Sequence, residues 1–265
     1  MTETAYETVR YRMVDAVARI SLNRPDRLHA MNRTMRLELT EAFRRAGREA
    51  RAILLTSERS ADPAVKPSFC AGQDLGAIRE EDLETILDEE YAPMLRALID
   101  APIPSVAAII GPAAGAGLHL ALSADVIFGA RSASFTAPFS RIGLMPAAAG
   151  SYWLPRLAGP QRAAGMAFLG EPVSAEQAER WGLIWRALPD DELEAAAERA
   201  AAKIASGPTV ALRATKAAFR ASLSNGLEAQ LALETKLQGE AGRSRDYMEG
   251  VAAFLEKRKP RFEGR

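Results

Sequence analysis

An α/β core with a helical C-terminal extension is predicted by three features of the 265-residue sequence. Short apolar runs alternate with helical patterns up to about residue 190, the strands then cease, and alanine-rich helical segments fill the remainder. With 48% hydrophobic residues, a chain of this length buries a substantial core. Its 34 basic and 34 acidic residues cancel, without the like-charge blocks that would track nucleic acid or an anionic membrane. The start, MTETAYETVRYR, has no apolar h-region, and no stretch approaches the roughly 18 uninterrupted apolar residues of a membrane span, so a cytoplasmic location is expected. One cysteine, Cys70, excludes an internal disulfide framework, and with only two histidines no metal site is expected. Chemistry therefore falls to carboxylates, hydroxyls, His29, His119 or the backbone.

ETVRYRM and AVARISL alternate apolar with polar residues about Asp15, so residues 7–22 read as a hairpin ending at NRP. Met31, Met35, Leu39, Phe43 and Ala46 recur at helical spacing, with Asn32 as the cap. RAILLTS is a buried strand, and ERSADPAVKPS, residues 58–68, is a proline-bearing surface loop that delivers the chain into FCAGQDL. A charged helical stretch covers roughly 80–99. PIPSVAAII is a second buried strand, from which GPAAGAG turns into the apolar helix LHLALSA. DVIFGA and ASFTAPF are further strands, GSYWLPRLAG is a short helix, and SAEQAERWG opens on a capping box at Ser174 and Gln177 and stops at Gly182. The change of pattern divides the chain into a core, residues 1–192, and a helical region, residues 193–265, that closes over the core or packs on a neighbouring subunit.

FCAGQDL and GPAAGAGLH share a physical logic: small residues permit tight turns and let a ligand atom approach backbone N–H groups. The second turn opens a helix whose first N–H groups lack internal partners and whose dipole favours negative charge. Two such donors converging on one oxygen make an oxyanion hole. Close helix–strand packing accounts for the glycines equally well. Gly111, Gly115 and Gly117 also spell the G-x-x-x-G-x-G of short-chain dehydrogenases, but none of Tyr6, Tyr11, Tyr91, Tyr152 or Tyr247 has the lysine four residues on that those enzymes need, and Arg131 stands where an acid is expected. A serine hydrolase is excluded by the missing G-x-S-x-G elbow.

NRPDRLHAMN (23–32), FCAGQDL (69–75), AAIIGPAAGAGLHLALSADVIFGA (107–130), FSRIGLMPAAAGSYWLPRLAG (139–159), SAEQAERWGLI (174–184) and EGVAAFLEKRKPRF (249–262) occur in the order seen in the crotonase, or enoyl-CoA hydratase/isomerase, superfamily, which the chain resembles over nearly its full length. Within it, FCAGQDL, AAGAG, SAEQAERWGLIW and AGRSRDYMEGVAAFLEKR look most like the isomerases that act on the ring epoxide of phenylacetyl-CoA. The resemblance implies a spiral of repeated strand-strand-helix turns with a C-terminal helical trimerisation region, assembled as a homotrimer or a dimer of trimers. It implies an acyl-CoA substrate, with coenzyme A entering as part of the substrate and no separate cofactor. The N–H groups of Ala71 and Ala116 would polarise the thioester carbonyl, and CoA would run past Arg27, Leu28, Ala30, Ser68 and Leu75, with Asp74 and Gly115 in the same substrate-facing set. Phe254 and Lys257, from a neighbouring subunit, would meet the adenine and phosphates; read alone, they are a core contact and a solvated helix end.

The sequence departs from the family's acid–base pattern. Where hydratases of the family place two glutamates, this chain has His119 and Phe139, and where the phenylacetate-type isomerases carry an aspartate it has Ala147. His119, with an unperturbed pKa near ~6.5, is the candidate proton carrier, and a neutral core histidine is the alternative. Asp74 reads as a cap for backbone N–H groups as well as a substrate neighbour. His29 reads as a binding or surface residue near the CoA entrance, Ser140, Ser151 and Tyr152 as acyl-pocket residues, and Cys70 as packed. The expected activity is hydration or isomerisation through a thioester enolate. The alternatives are a weakly active or inactive acyl-CoA-binding paralogue and a decarboxylase that relies on the oxyanion hole.

Overall fold

In each apolar run the residues alternate between two faces, and both faces are covered. Ile53 and Leu55 enter one apolar core while Ala52 and Leu54 enter another, and Ala107 and Ile109 divide in the same way from Val106 and Ala108. Such double burial is why these strands read as continuous apolar stretches rather than as an alternating pattern. A computed structural model of the protein describes residues 2–77 and 82–265.

The chain opens with the antiparallel strands β1 (Thr2–Ala5), β2 (Val9–Val14) and β3 (Val17–Leu22). Helix α1 (Arg33–Glu49), capped by the Asn32 side chain accepting from Met35 N at 3.0 Å, returns the chain to β4 (Ala52–Ser57). Helix α2 (Leu83–Ile86), a π-helical turn over Leu87–Tyr91 and α3 (Ala92–Ile99) lead to β5 (Ser105–Ile109). Residues 80 and 81 of the expected charged helix lie outside the described residues. Strand β6 (Pro112–Ala114), helix α4 (Ala116–Leu122), β7 (Val126–Ala130) and β8 (Ser134–Thr136) follow. Then come α5 (Gly150–Ala158), α6 (Pro160–Leu169), β9 (Val173–Ser174), α7 (Ala175–Trp181) and β10 (Arg186–Leu188). The chain ends in α8 (Leu193–Ala205), α9 (Thr209–Ser222), α10 (Leu227–Gly242) and α11 (Arg245–Leu255).

Seven strands form the main sheet in the order β1-β2-β3-β4-β5-β7-β10, parallel from β3 onward, and β6-β8-β9 form a second, smaller sheet. The sequence pattern misses β1, β6, β9, β10 and α6, all but one of them strands of two to four residues, too short to show a period. Leu193, Ala197, Ala201 and Ala205 of α8 pack on Ala52, Leu54, Val106 and Ala108, so the packed unit runs through Ala205. Beyond it, α9 is anchored by buried Lys216, which donates to Ile103 O at 3.0 Å and pairs with Asp125 at 2.8 Å. No described helix is long and apolar enough to cross a membrane.

All seven residues of α4 are buried, and the helix lies directly on the FCAGQDL turn. A Cβ at Gly117 would stand 2.5 Å from Cys70 O and 2.7 Å from its Sγ. Gly117→Ala therefore overpacks the contact between the two turns and should lower unfolding stability by about 1–3 kcal/mol, measured by urea denaturation. An unchanged midpoint would show that the two turns have room to part.

Candidate active site

The FCAGQDL turn is held between two other segments, each through a single residue pairing. Cys70 pairs with Ala113 of β6, its N–H donating to Pro112 O at 3.1 Å while its carbonyl accepts from Ala114 N at 2.9 Å. Met31 pairs with Gln73, donating to Gly72 O at 2.7 Å and accepting from Asp74 N at 3.1 Å. In that parallel bridge Met31 makes both bonds, so the N–H of Gln73 points away from it. Gly72, at φ +97°, reverses the alternation of the chain, which puts the amides of Ala71 and Asp74 on the same side, facing residues 28–31. A Cβ at Gly72 would lie 2.8 Å from Ala114 O and 3.4 Å from Ala116 N, which measures how closely the two glycine turns approach.

This geometry corrects the first of the two expected donors. The amide of Ala71 already donates to Leu28 O at 2.9 Å and that of Gly72 to the Cys70 sulfur at 3.5 Å. Among the described residues no partner takes the amide of Gln73, which is the free donor of this turn. The sequence carries the signal in the glycine itself: a positive φ at Gly72 shifts the free N–H one residue past it. Ala116 opens α4, where N–H groups have no partner inside the helix.

Gln73 and Ala116 both line an apolar cavity of about 440 Å³, with Leu83, Ile86, Leu87, Tyr91, Phe139, Ile142, Leu144 and Met145 around it. Ala71, Gly72, Leu75, Gly115, Arg141, Ala147 and Ala148 complete most of the wall. Sequence reasoning missed the contributions of Tyr91, Ile142, Leu144 and Met145, which flank the turns on loops and on the π-helical turn. Among the described residues the wall holds no carboxylate. A larger cleft of about 670 Å³ beside Arg19, Arg51 and Ala205 lies away from both glycine turns. Among the described residues no three histidine, cysteine, aspartate or glutamate side chains group as a metal site.

The remaining expected residues divide sharply. Arg27 and Leu28 are exposed at the edge of the NRP turn, Ala30 is half-buried, and Leu75 and Gly115 line the cavity. Ser68 is buried, and its hydroxyl donates to Pro112 O at 3.2 Å, which ties this segment to the second glycine turn. Asp74 is likewise occupied, paired with Arg24 at 2.9 Å. Phe254, 82% exposed, and Lys257 lie at the end of α11 and do not line the cavity of their own chain. Ser140, Ser151 and Tyr152 also fall outside it: Ser140 donates to Phe168 O at 3.2 Å, and Tyr152 packs against Trp153 and Arg156. Cys70 is fully buried, its Sγ bonded to His29 O at 3.0 Å, and burial pushes its thiol up to about 12.

Both histidines are buried, which corrects the surface or binding role expected for His29. Arg24 N donates to His29 Nδ1 at 3.0 Å and Nε2 faces Glu58 O at 3.1 Å, so the neutral Nε2–H tautomer satisfies both bonds and ties the NRP turn together. His119 does not reach the cavity either. Its ring stacks beneath Phe139 at 5.2 Å between centroids, and a Cβ at Gly150 would lie 2.0 Å from it. Among the described residues neither ring nitrogen of His119 has a hydrogen-bond partner. Desolvation lowers its pKa to about 4, and the Ala147 backbone acts in the opposite direction without closing a hydrogen bond. Burial likewise lowers His29 to about 4.

The sequence profile of the enoyl-CoA hydratase/isomerase family matches residues 12–265. A Rhodobacter capsulatus protein named "Probable enoyl-CoA hydratase" is 52% identical over 263 residues, covering 98% of this chain and 100% of that one. The 1,2-epoxyphenylacetyl-CoA isomerase of Escherichia coli is 42% identical, over 94% of this chain and 95% of its own. The crystal structure of enoyl-CoA hydratase from Bacillus anthracis superposes with a TM-score of 0.89 at 29% identity, covering 98% of this chain and 100% of that one.

The histidines set a pH dependence. Below pH 6.5 the unfolded chain takes up protons on both, while the folded protein keeps them neutral down to about pH 4. Stability is full above 6.5 and falls as pH drops toward 4, by on the order of 3 kcal/mol per histidine. Urea midpoints at pH 7.5 and 5 should converge in a His29→Asn, His119→Phe double variant. An identical pH slope in variant and parent would count against this.

Proposed function

The chain belongs to the enoyl-CoA hydratase/isomerase family, and from that premise we propose that it binds an acyl-CoA thioester and stabilises its enolate between the amides of Gln73 and Ala116 during isomerisation or hydration. One observation carries this reading: two glycine turns, each presenting a backbone N–H, meet at the wall of an apolar cavity. A thioester carbonyl placed there gains negative charge on oxygen as its α-carbon loses a proton to a water molecule, the described wall offering no carboxylate or imidazole, and fixed donors favour that charge by several kcal/mol. The wall of leucine, isoleucine, methionine, Tyr91 and Phe139 suits an apolar or aromatic acyl group, in keeping with a relative named for a phenylacetyl-CoA derivative.

The CoA arm is assigned to Arg27, Leu28 and Ala30 at the exposed edge beside Ala71, with Leu75 at the cavity mouth. We place the assembly through α9–α11. Helix α10 buries none of its residues, and Leu227, Leu231 and Phe254 stand exposed on this region. In such an assembly Phe254 and Lys257 of one copy would meet the adenine end of a neighbour's ligand.

A second reading, decarboxylation of a malonyl-type thioester, is favoured by the absence of a carboxylate among the described wall residues. Loss of carbon dioxide generates the enolate without a protein base, so only the two amides are needed.

The deciding experiment incubates the protein in deuterated water with phenylacetyl-CoA, crotonyl-CoA and methylmalonyl-CoA, following α-proton exchange, hydration and carbon dioxide release. Exchange or hydration is expected, carbon dioxide release alone would establish the second reading, and binding without turnover on any of the three would overturn both. Gly72→Ala should cut turnover about 10²–10³-fold, since a Cβ at this positive φ forces the turns apart and misaims the Gln73 amide. Turnover retained in that variant would remove Gln73 from the site.

A further inference from the structure

A buried ion pair sits behind the Gln73 turn, and the mechanism above does not use it. Arg36 of α1 and Glu90 of the π-helical turn pair through Arg36 Nη2 and Glu90 Oε2 at 2.6 Å, with Arg36 Nε donating to the same oxygen at 2.7 Å. Their side chains are 2% and 9% exposed. Arg33 reaches the other Glu90 oxygen at 3.0 Å from the surface. Taking two charges out of water costs more than their attraction usually returns, and a well-packed apolar pair is often as stable. Stability is therefore a poor reason for the pair to be there.

Its outward hydrogen bonds suggest another role. Arg36 Nη1 donates to Met31 O at 3.0 Å and to Gln73 Oε1 at 2.8 Å. The Met31 carbonyl is the one that accepts from Asp74 N, and Gln73 lines the cavity with its amide unpartnered among the described residues. The Tyr91 hydroxyl donates to the same Gln73 Oε1, and the Arg36 guanidinium lies 5.1 Å from the Tyr91 ring centre. One guanidinium thus grips both sides of the Met31–Gln73 bridge, while Glu90 and Tyr91 hold the guanidinium and the glutamine in place. π-Helical turns recur at functional sites, and here the turn brings two consecutive residues, Glu90 and Tyr91, into the buried network.

We infer that Arg36 is a positioning residue, oriented by Glu90, that fixes the direction of the Gln73 amide toward the thioester oxygen. The inference rests on the oxyanion reading of Gln73 and Ala116. Arg36 touches no substrate; it acts by preventing the 72–74 peptide planes from rotating as charge develops on the oxygen.

The readout is carbonyl polarisation. A cinnamoyl-CoA thioester bound to the full-length protein absorbs at longer wavelength when its carbonyl is polarised, so the shift reports the donors apart from turnover. An Arg36→Met, Glu90→Met double variant replaces the pair with apolar side chains of similar length. It should keep its melting temperature within about 5 °C and its thioester Kd within about threefold, yet lose the shift and about tenfold or more in kcat. Glu90→Gln keeps the side-chain shape but removes the charge that orients Arg36, and should weaken the shift and lower kcat several-fold at unchanged KM. It decides the matter should the double variant not fold. A double variant, or a Glu90→Gln protein, that keeps the full shift and kcat overturns the positioning role while leaving the oxyanion reading intact. No shift in the unaltered protein overturns the oxyanion reading and this inference with it.

Discussion

The site depends on how residues 70–74 are wedged between two neighbours. Cys70 is tied to β6 on one side and Met31 to Gln73 on the other, each by the two backbone bonds of a single-residue bridge. The segment is too short to hold an extended shape alone, and its direction comes wholly from what grips it. The NRP turn presents Met31 because His29 bonds at both ring nitrogens, to Arg24 and to Glu58, and because Arg24 pairs with Asp74. Helix α4 lies close because Gly117 has no side chain to keep it off Cys70. Much of what surrounds the cavity fixes the course of the two glycine turns.

The surroundings also set the electrostatics. The wall is apolar, and its described residues carry no acid, so a donor facing it is screened little by water. His119 contributes no charge there at neutral pH. It lies under Phe139 in the neutral form, in contrast to His29, whose nitrogens are both satisfied. Both residues are buried, and they differ in hydrogen bonding.

Most of the longer strand and helix patterns were legible, α6 (Pro160–Leu169) being the long element that was missed. The Asn32 cap, the Ser174–Gln177 capping box and the Gly182 stop all stand where the sequence puts them. Strands of two to four residues escaped because no period can be read in so few positions. The apolar run LHLALSA announced a buried helix, but not that β6 would intervene before it. Within the site, the glycine turns were legible and the choice of amide was not, because the choice depends on a dihedral angle and on hydrogen bonds to residues forty positions away. Arg36 was read only as part of a helix; nothing in a helical period shows that one of its positions faces a buried carboxylate. His119 looked available because a sequence does not show that Phe139 would cover it.

The two amides at the centre of the site belong to the main chain, and this has a consequence for descent. A side-chain catalyst can be lost by a single codon change, whereas a peptide N–H is carried by any residue but proline and is lost only when the turn changes shape. Selection can therefore replace the residues at 119, 139 and 147 without dismantling the donors. If the two amides act as proposed, a lineage built on this arrangement would keep its hold on a charged oxygen while exchanging the proton chemistry around it, so new reactions would start from a working half-site rather than from none.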